Sequence, residues 1–252
     1  MSEHVRVEKS GGVLAITLAR PERRNAITVA MYAALAEAVE SAAGDDSIRV
    51  ITFQGEGQDF AAGNDLADFL SALPRDTTDI PVWRLLRALT ECETPIAAAV
   101  QGNCVGIGTT MLLHCDLVIA EEGARFSLPF VDLGLVPEAA SSLLLPRLAG
   151  RGRGARYLLL GEAFGVNEAM EIGLVSHRSE PGQLTETMAD VVVRLLAKPV
   201  GALRQTQRLL RTGAREEILE RMQLESEVFA ERLASTEAKQ AISTFFEKRK
   251  KD

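Results

Sequence analysis

The feature that most constrains this chain is a change of rhythm near Pro181: short apolar strands alternate with helical segments before it, and only helices follow. VRVEK (5–9) and VLAITLA (13–19) flank Gly11-Gly12, which predicts a β-hairpin. Thr28 stands where it can open the helix TVAMYAALAEAVESAAG, with apolar residues at helical spacing and a stop at Gly44. IRVITFQG is then a buried strand, followed by a helix around WRLLRALTEC, a strand IAAAVQG and a helix around GTTMLLHC. DLVIAEE and LVSHRSE complete the strands. Such alternation predicts an α/β chain of stacked turns. The remainder, from MADVVVRLLAK through PVGALRQTQRLLR and REEILERMQLESEVFAERLA to TEAKQAISTFFEKRK, is helical, the REEILERMQLESEVFAERLA segment with apolar residues at helical spacing. Amphipathic helices of this kind cover either the chain's own core or a neighbouring subunit. No Pro-, Gly- or Ser-rich linker and no repeat interrupts the chain.

Composition excludes several classes. At 252 residues, 46% hydrophobic and 25% charged, the chain has the make-up of an ordinary soluble globular protein. No apolar run approaches a membrane span and MSEHVRVEKS lacks an apolar signal core, so the cytoplasm is the expected compartment and no membrane partner is expected. A net charge of −7 argues against a nucleic-acid partner. Cys92, Cys104 and Cys115 are odd in number and widely spaced, which predicts reduced, buried thiols and no metal site. Arg20, Arg23 and Arg24, and the tail Lys248 to Lys251, read first as solvated charge.

Three segments carry the chemistry. In FAAGNDLADF (60–69), Ala61, Ala62 and Gly63 let a ligand approach the backbone, and a helix beginning near Leu66 leaves the N–H groups of Asn64 and Asp65 to face an anion. A plain turn explains the same small residues. In IAAAVQGNCVGIGTTMLLHCDLVIA (96–120), Gly102, Gly106 and Gly108 imitate a dinucleotide fingerprint, but Met111 stands where its third glycine belongs. A second loop presenting backbone N–H groups is the better reading, with His114 and Cys115 structural. In FSLPFVDLGLVPEAASS (126–142), Glu138 is the only charged residue between Asp132 and Arg147. Following Pro137 and preceding SSLLL, it is either a residue of a helix N-terminus or a base in an apolar pocket. Two backbone donor sites and one such carboxylate are what removal of a proton α to a carbonyl requires: a base, and an oxyanion hole for the enolate.

With RPERRNAI (20–27), these segments resemble the crotonase (enoyl-CoA hydratase/isomerase) superfamily over nearly the whole chain. The resemblance implies a crotonase-like spiral of repeated ββα units over residues 1–195 and a C-terminal helical region, 196–252, that builds trimers, often paired into hexamers. It implies an acyl-CoA substrate and no cofactor beyond the coenzyme A that the substrate carries. The oxyanion donors match the backbone N–H of Asn64 and of Ile107, where glycine is commoner, with Gly106 beside it. Because only its backbone donates, the side chain of Asn64 is expected to be dispensable. Arg24 and Ala26 match the early CoA-contacting segment, and Ala62, Asp65 and Leu66 flank the thioester loop. Trp83 belongs either to the acyl pocket or to the core.

The departures point to a subclass. Hydratases of this family use two glutamates; the matching positions here are Thr110 and Phe130, which cannot do carboxylate chemistry. Glu138 instead matches the acid of the peroxisomal-type Δ3,Δ2-enoyl-CoA isomerases, and the ring-opening epoxyphenylacetyl-CoA isomerases carry an acid there too. The expected reaction is a shift of a 3-enoyl-CoA double bond to the 2-position, with Glu138 as the catalytic acid/base. A ring-type isomerase and a non-catalytic acyl-CoA binder are the alternatives.

Overall fold

Gly11 and Gly12 both take positive φ, +58° and +87°, which is the backbone a two-residue hairpin needs. Strand β1 (Val5–Ser10) therefore folds back on β2 (Val13–Leu18) with Ser10 opposite Val13. This computed structural model describes residues 2–72 and 80–249. Beyond the hairpin, β2 pairs in parallel with β3 (Val50–Gly55), and β4 (Ile96–Val100), β6 (Leu117–Glu121) and β9 (His177–Ser179) continue the sheet in the order β1-β2-β3-β4-β6-β9. A second sheet, not anticipated from the sequence, is built from β5 (Asn103–Val105), β7 (Arg125–Ser127) and β8 (Phe164–Gly165). Its strands are too short to show alternation.

Two turns of the chain each give one strand to each sheet: β4 runs into β5, and β6 into β7. Gly102 makes the first corner at φ +55°, where a Cβ would come within 2.0 Å of the Gln58 carbonyl oxygen. Successive turns stack in register, so Ala61 bridges Cys104, Cys104 pairs with Phe126, and Phe126 with Phe164. All four are buried, and the Phe126, Phe164 and Tyr157 rings stack beside them. Strand β4 is buried on both faces. Ile96, Ala98 and Val100 enter the main core, while Ala97 and Ala99 meet Met188 and Val191 of a helix on the far side. Alanines at those positions let that helix approach the sheet closely.

The helices of the first half are α1 (Val29–Ser41), α2 (Leu66–Ala72), α3 (Pro81–Glu91), α4 (Ile107–Thr110) and α5 (Ser141–Ala149). Thr28 caps α1 by accepting from Met31 N–H at 3.2 Å, as its position predicted. The expected helix around GTTMLLHC is only the four residues of α4, continued by a 3-10 turn over Met111–His114. Helices α6 (Arg151–Leu160) and α7 (Val166–Glu171) were not anticipated. The C-terminal run is α8 (Leu184–Leu196), α9 (Val200–Thr212), α10 (Arg215–Ala234) and α11 (Thr236–Arg249). Lys250 and Lys251 of the basic tail lie outside the described residues. Helix α10 packs on α3 and α5, and α11 on α10 and the 3-10 turn Val131–Leu133, so this part of the tail covers its own chain. Leu209 and Leu210 of α9 stay exposed. Cys104 is buried, Cys92 and Cys115 half-buried, and all three are free thiols. Among the described residues no helix is long and apolar enough to cross a membrane.

Gly134 is where α11 docks. Its φ is +70°, and a Cβ there would lie 2.8 Å from Ala238 Cα. Gly134→Ala is expected to loosen α11 by about 1–3 kcal/mol while the sheet stays intact. Hydrogen exchange should then speed up over residues 236–249 and not in β3 and β4; equal protection in α11 would contradict this packing account.

Candidate active site

The backbone of the first loop is sewn in place on both sides. Ala61 N–H donates to Asn103 O, and Val105 N–H to Ala61 O. Beyond Gly63, Ile27 donates to Gly63 O and accepts from Asp65 N–H at 2.9 Å. Asn64 lies between these bonds in a parallel bridge, so its own N–H points away from Ile27. The Asp65 N–H, expected to be free, is thus committed to Ile27. The Asp65 side chain accepts from Arg20 at 2.8 Å, and although burial opposes it, that bond and the guanidinium charge hold its pKa below the usual range.

Asn64 has a second role that is not legible in the residues around it. The Tyr32 hydroxyl, buried on α1, donates to Asn64 Oδ1. The side chain therefore orients the loop and is not idle.

The second loop comes from the corner after β5. Gly106, at φ +55°, donates to Ser127 O and accepts from Thr109 and Thr110 N–H, which starts α4. The N–H groups of Ile107 and Gly108 then belong to a first turn with no intrahelical acceptor. A Cβ on Gly106 would meet Gly63 Cα at 4.0 Å, so the two loops abut. Ile107 is buried, its side chain part of the core, which leaves the approach to its N–H open.

The third segment corrects one of the two readings of Glu138. The chain from Leu135 to Glu138 is irregular, Ala139 and Ala140 take φ of 59° and 55°, and α5 begins only at Ser141. Glu138 is therefore outside the helix. The N-terminal donors of α5 are taken by another carboxylate: Glu225 of α10 accepts from Ala140 N–H at 2.6 Å and Ser142 N–H at 2.9 Å. Among the described residues, Glu138 accepts only from Thr110 Oγ1, at 3.1 Å. Part of the residue remains accessible, but protein encloses the carboxylate, and burial raises its pKa to about 7. The Thr110 bond opposes that shift and the charge of Glu225 adds to it. Burial, and then the facing Glu138, raises Tyr32 well above the ordinary phenol.

These loops frame a cavity of about 1080 Å³. Of the residues singled out in the sequence, Ala26, Ala62, Asn64, Asp65, Leu66, Gly106, Ile107 and Phe130 line it. Thr110 and Glu138 do not; they are set behind its wall, Thr110 one helical turn beyond Ile107. Arg24 turns outward, with Asp59 as its nearest acid at 3.8 Å, and Arg23 lines the cavity in its place. Trp83 is half-buried against the core and donates to Ser226 Oγ at 2.7 Å, and it does not line the cavity. The apolar side is closed by Phe229 of α10 and Phe245 and Phe246 of α11. His114 is structural, as expected, but its contact matters here: its Nε2 lies 2.9 Å from Ala139 O, and burial lowers its pKa to about 4, so it donates as the neutral ring. Among the described residues no group of His, Cys, Asp and Glu is placed to hold a metal ion.

The sequence profile described as Enoyl-CoA hydratase/isomerase matches residues 8–252. The chain is 32% identical to a 1,2-epoxyphenylacetyl-CoA isomerase of Escherichia coli K12, over 99% of this chain and 97% of the relative. It is also 32% identical to enoyl-CoA delta isomerase 2 of Rattus norvegicus, over 99% of this chain and 65% of that protein. Hydratases stand among the other relatives at similar identity. The crystal structure of an enoyl-CoA hydratase/isomerase from Pseudoalteromonas atlantica T6c is 41% identical and superposes with a TM-score of 0.92 over 98% of each chain.

The raised pKa of Glu138 has a consequence for stability. A carboxyl lifted from 4.5 to about 7 stabilises the folded chain fully below pH 4.5, and that contribution is lost as pH rises through 7. Glu138→Gln is therefore expected to stabilise the fold at pH 8 by ~2–3 kcal/mol and to leave it unchanged at pH 4. Denaturant titrations at the two pH values check this; an equal effect at both would show that the carboxylate is not desolvated.

Proposed function

We propose that this chain, which belongs to the enoyl-CoA hydratase/isomerase family, shifts the double bond of a 3-enoyl-CoA to the 2-position through an enolate. The single observation that carries the reading is Glu138, one enclosed carboxylate with a pKa of about 7 beside two loops that present backbone N–H groups. At that pKa it both accepts and returns a proton near neutral pH.

The thioester oxygen accepts from the N–H groups of Asn64 and Ile107. Glu138 turns from Thr110 to the acyl chain and takes a proton from C2. The C2–H electron pair moves into a C1–C2 double bond, and negative charge gathers on the thioester oxygen, where the two donors hold it. The same carboxyl then protonates C4, and a double bond remains between C2 and C3. No water is consumed, and one acid/base group serves both carbons.

The surroundings support isomerisation over hydration. Thr110 and Phe130 hold the positions where the family's hydratases place glutamates. Three acids line the cavity: Asp65 and Asp68 are occupied by Arg20 and by Val29 N–H, the latter at 2.7 Å, and Asp132 stands on the 3-10 turn Val131–Leu133. Arg23 supplies a cation for the CoA phosphates. A ring-bearing acyl group is the second reading, favoured by the four phenylalanines, Phe130, Phe229, Phe245 and Phe246, around the cavity and by the relative that isomerises epoxyphenylacetyl-CoA. Assembly into trimers or hexamers would use the exposed leucines of α9.

Conjugation of 3-hexenoyl-CoA, followed by ultraviolet absorbance, tests the reaction. Glu138→Gln should lose ~10²–10⁴ in rate; unaltered turnover would remove Glu138 from the mechanism. Conversion of phenyl- or ring-epoxide thioesters alone would select the second reading.

The oxyanion loop gives a graded expectation. Asn64→Pro deletes the donor and should cost ~10²–10³ in kcat. Asn64→Ala keeps the N–H but strands the buried Tyr32 hydroxyl, so it should cost about 1–3 kcal/mol of stability and less rate than the proline. Equal rate losses in two folded variants would move the role from backbone to side chain.

A further inference from the structure

We propose that Glu225 is the positioning residue of this site: from α10 it clamps the turn that carries Glu138 and supplies the negative charge against which that carboxylate works. The proposal rests on the reading of Glu138 as the base.

The clamp is visible in the backbone. Ala139 and Ala140 both occupy the left-handed region, at φ 59° and 55°, which alanine avoids because its Cβ crowds the following carbonyl oxygen. Two successive residues of this kind persist only if their surroundings hold them. One hold is His114, whose Nε2 reaches Ala139 O at 2.9 Å. The other is Glu225, which takes Ala140 N–H on one carboxylate oxygen and Ser142 N–H on the other. The turn directly after Glu138 is thus gripped by a ring on one side and a carboxylate on the other.

The choice of residue is informative. A helix start is ordinarily capped by its own serine or aspartate. Here the cap is a carboxylate 85 residues further on, buried, and in no ion pair among the described residues. Its burial opposes its charge, and its bonds to Ser142 and Ala140 offset that only in part, so its own pKa is raised. A neutral cap would have held the turn without this cost. What the carboxylate adds is charge facing Glu138. Glu225 also interrupts an apolar stripe, Ile218, Met222, Phe229 and Leu233, at the position where another apolar residue would pack.

The titratable and charged groups facing the pair are few. Tyr32 comes from α1 and is neutral. His114 comes from the 3-10 turn after α4 and is neutral above pH ~4. Arg221 lies on Glu225's own helix; its Nη1 donates to Ser142 Oγ at 3.2 Å, and its charge favours ionised Glu225. Both groups therefore bear on Glu138 in the same direction. Removing the charge of Glu225 should lower the pKa of Glu138, and removing that of Arg221, which favours ionised Glu225, should lower it too, by less.

The test is an infrared pH titration of the protonated carboxyl band that Glu138→Gln abolishes, read in the full-length chain without substrate. Glu225→Gln is expected to move its midpoint down by roughly one pH unit, and Arg221→Gln to move it down by less. The acid limb of kcat/KM should move with it, and kcat should fall ~10-fold with KM little changed, as the turn loosens. Glu225→Asp, which keeps the charge on a shorter arm, should lower kcat and leave the midpoint in place. A midpoint unmoved in folded Glu225→Gln overturns the proposal; if that variant does not fold, an unmoved or raised midpoint in Arg221→Gln does so. Because the band needs no substrate, turnover retained by Glu138→Gln would refute the catalytic reading separately.

Discussion

Glu138 occupies a place where burial works against its charge, and much of the site is arranged around that conflict. Thr110 offers the carboxylate one hydrogen bond, enough to hold it and too little to restore an ordinary pKa. Glu225 presses the same way as burial, because a second negative charge nearby favours the protonated form of the first. In the proposed reaction, the resulting value near 7 would let one group serve as base and acid in the same turnover. Such an arrangement is costly to stability, and the fold meets the cost with a core of stacked parallel strands elsewhere.

That core also decides where the loops end. The β4–β5 and β6–β7 turns each lay one strand in each sheet, and the segment after β3 joins the second sheet through the Ala61 bridge, so the corners between sheets fall at equivalent positions in these turns. Gly63 and Gly106 are neighbours because the Ala61–Cys104 bridge places the second turn directly beside the first. The proximity of the Asn64 and Ile107 N–H groups is therefore a property of the winding. Their freedom is local: the Ile27 bridge directs one outward, and a helix start leaves the other unpaired. Helices α10 and α11 then complete the site from the far end of the sequence, closing its apolar side with phenylalanines and reaching the Glu138 turn with Glu225.

Much of this was legible in the residues. The Gly-Gly hairpin, the Thr28 cap, the parallel strands and the all-helical tail follow from spacing and turn chemistry, and the two donor loops from glycines placed between a strand and a helix. What escaped did so for physical reasons. Strands of two or three residues carry no period, so the second sheet was invisible. Which of Arg23 and Arg24 faces the cavity depends on positive φ at Arg24 and Asn25, which nothing in RPERRNAI requires. Tyr32 looks like core because it is core, and its hydroxyl partner lies on a different element. Glu225 did leave a trace, a charge within an apolar helical stripe, but its partner could be found only once α10 was seen against α5. Pro137 and SSLLL are equally the signature of a helix start; two left-handed alanines, which no propensity favours, carry Glu138 outside it.

The most direct test of the account is the pH dependence of 3-enoyl-CoA conjugation by the unaltered chain between pH 5 and 9. With Glu138 as the base, kcat/KM falls on the acid side with a midpoint of about 7, the value burial and Glu225 impose on its carboxyl. A midpoint in the ordinary carboxylate range, or a rate flat across pH 5 to 8, would contradict it.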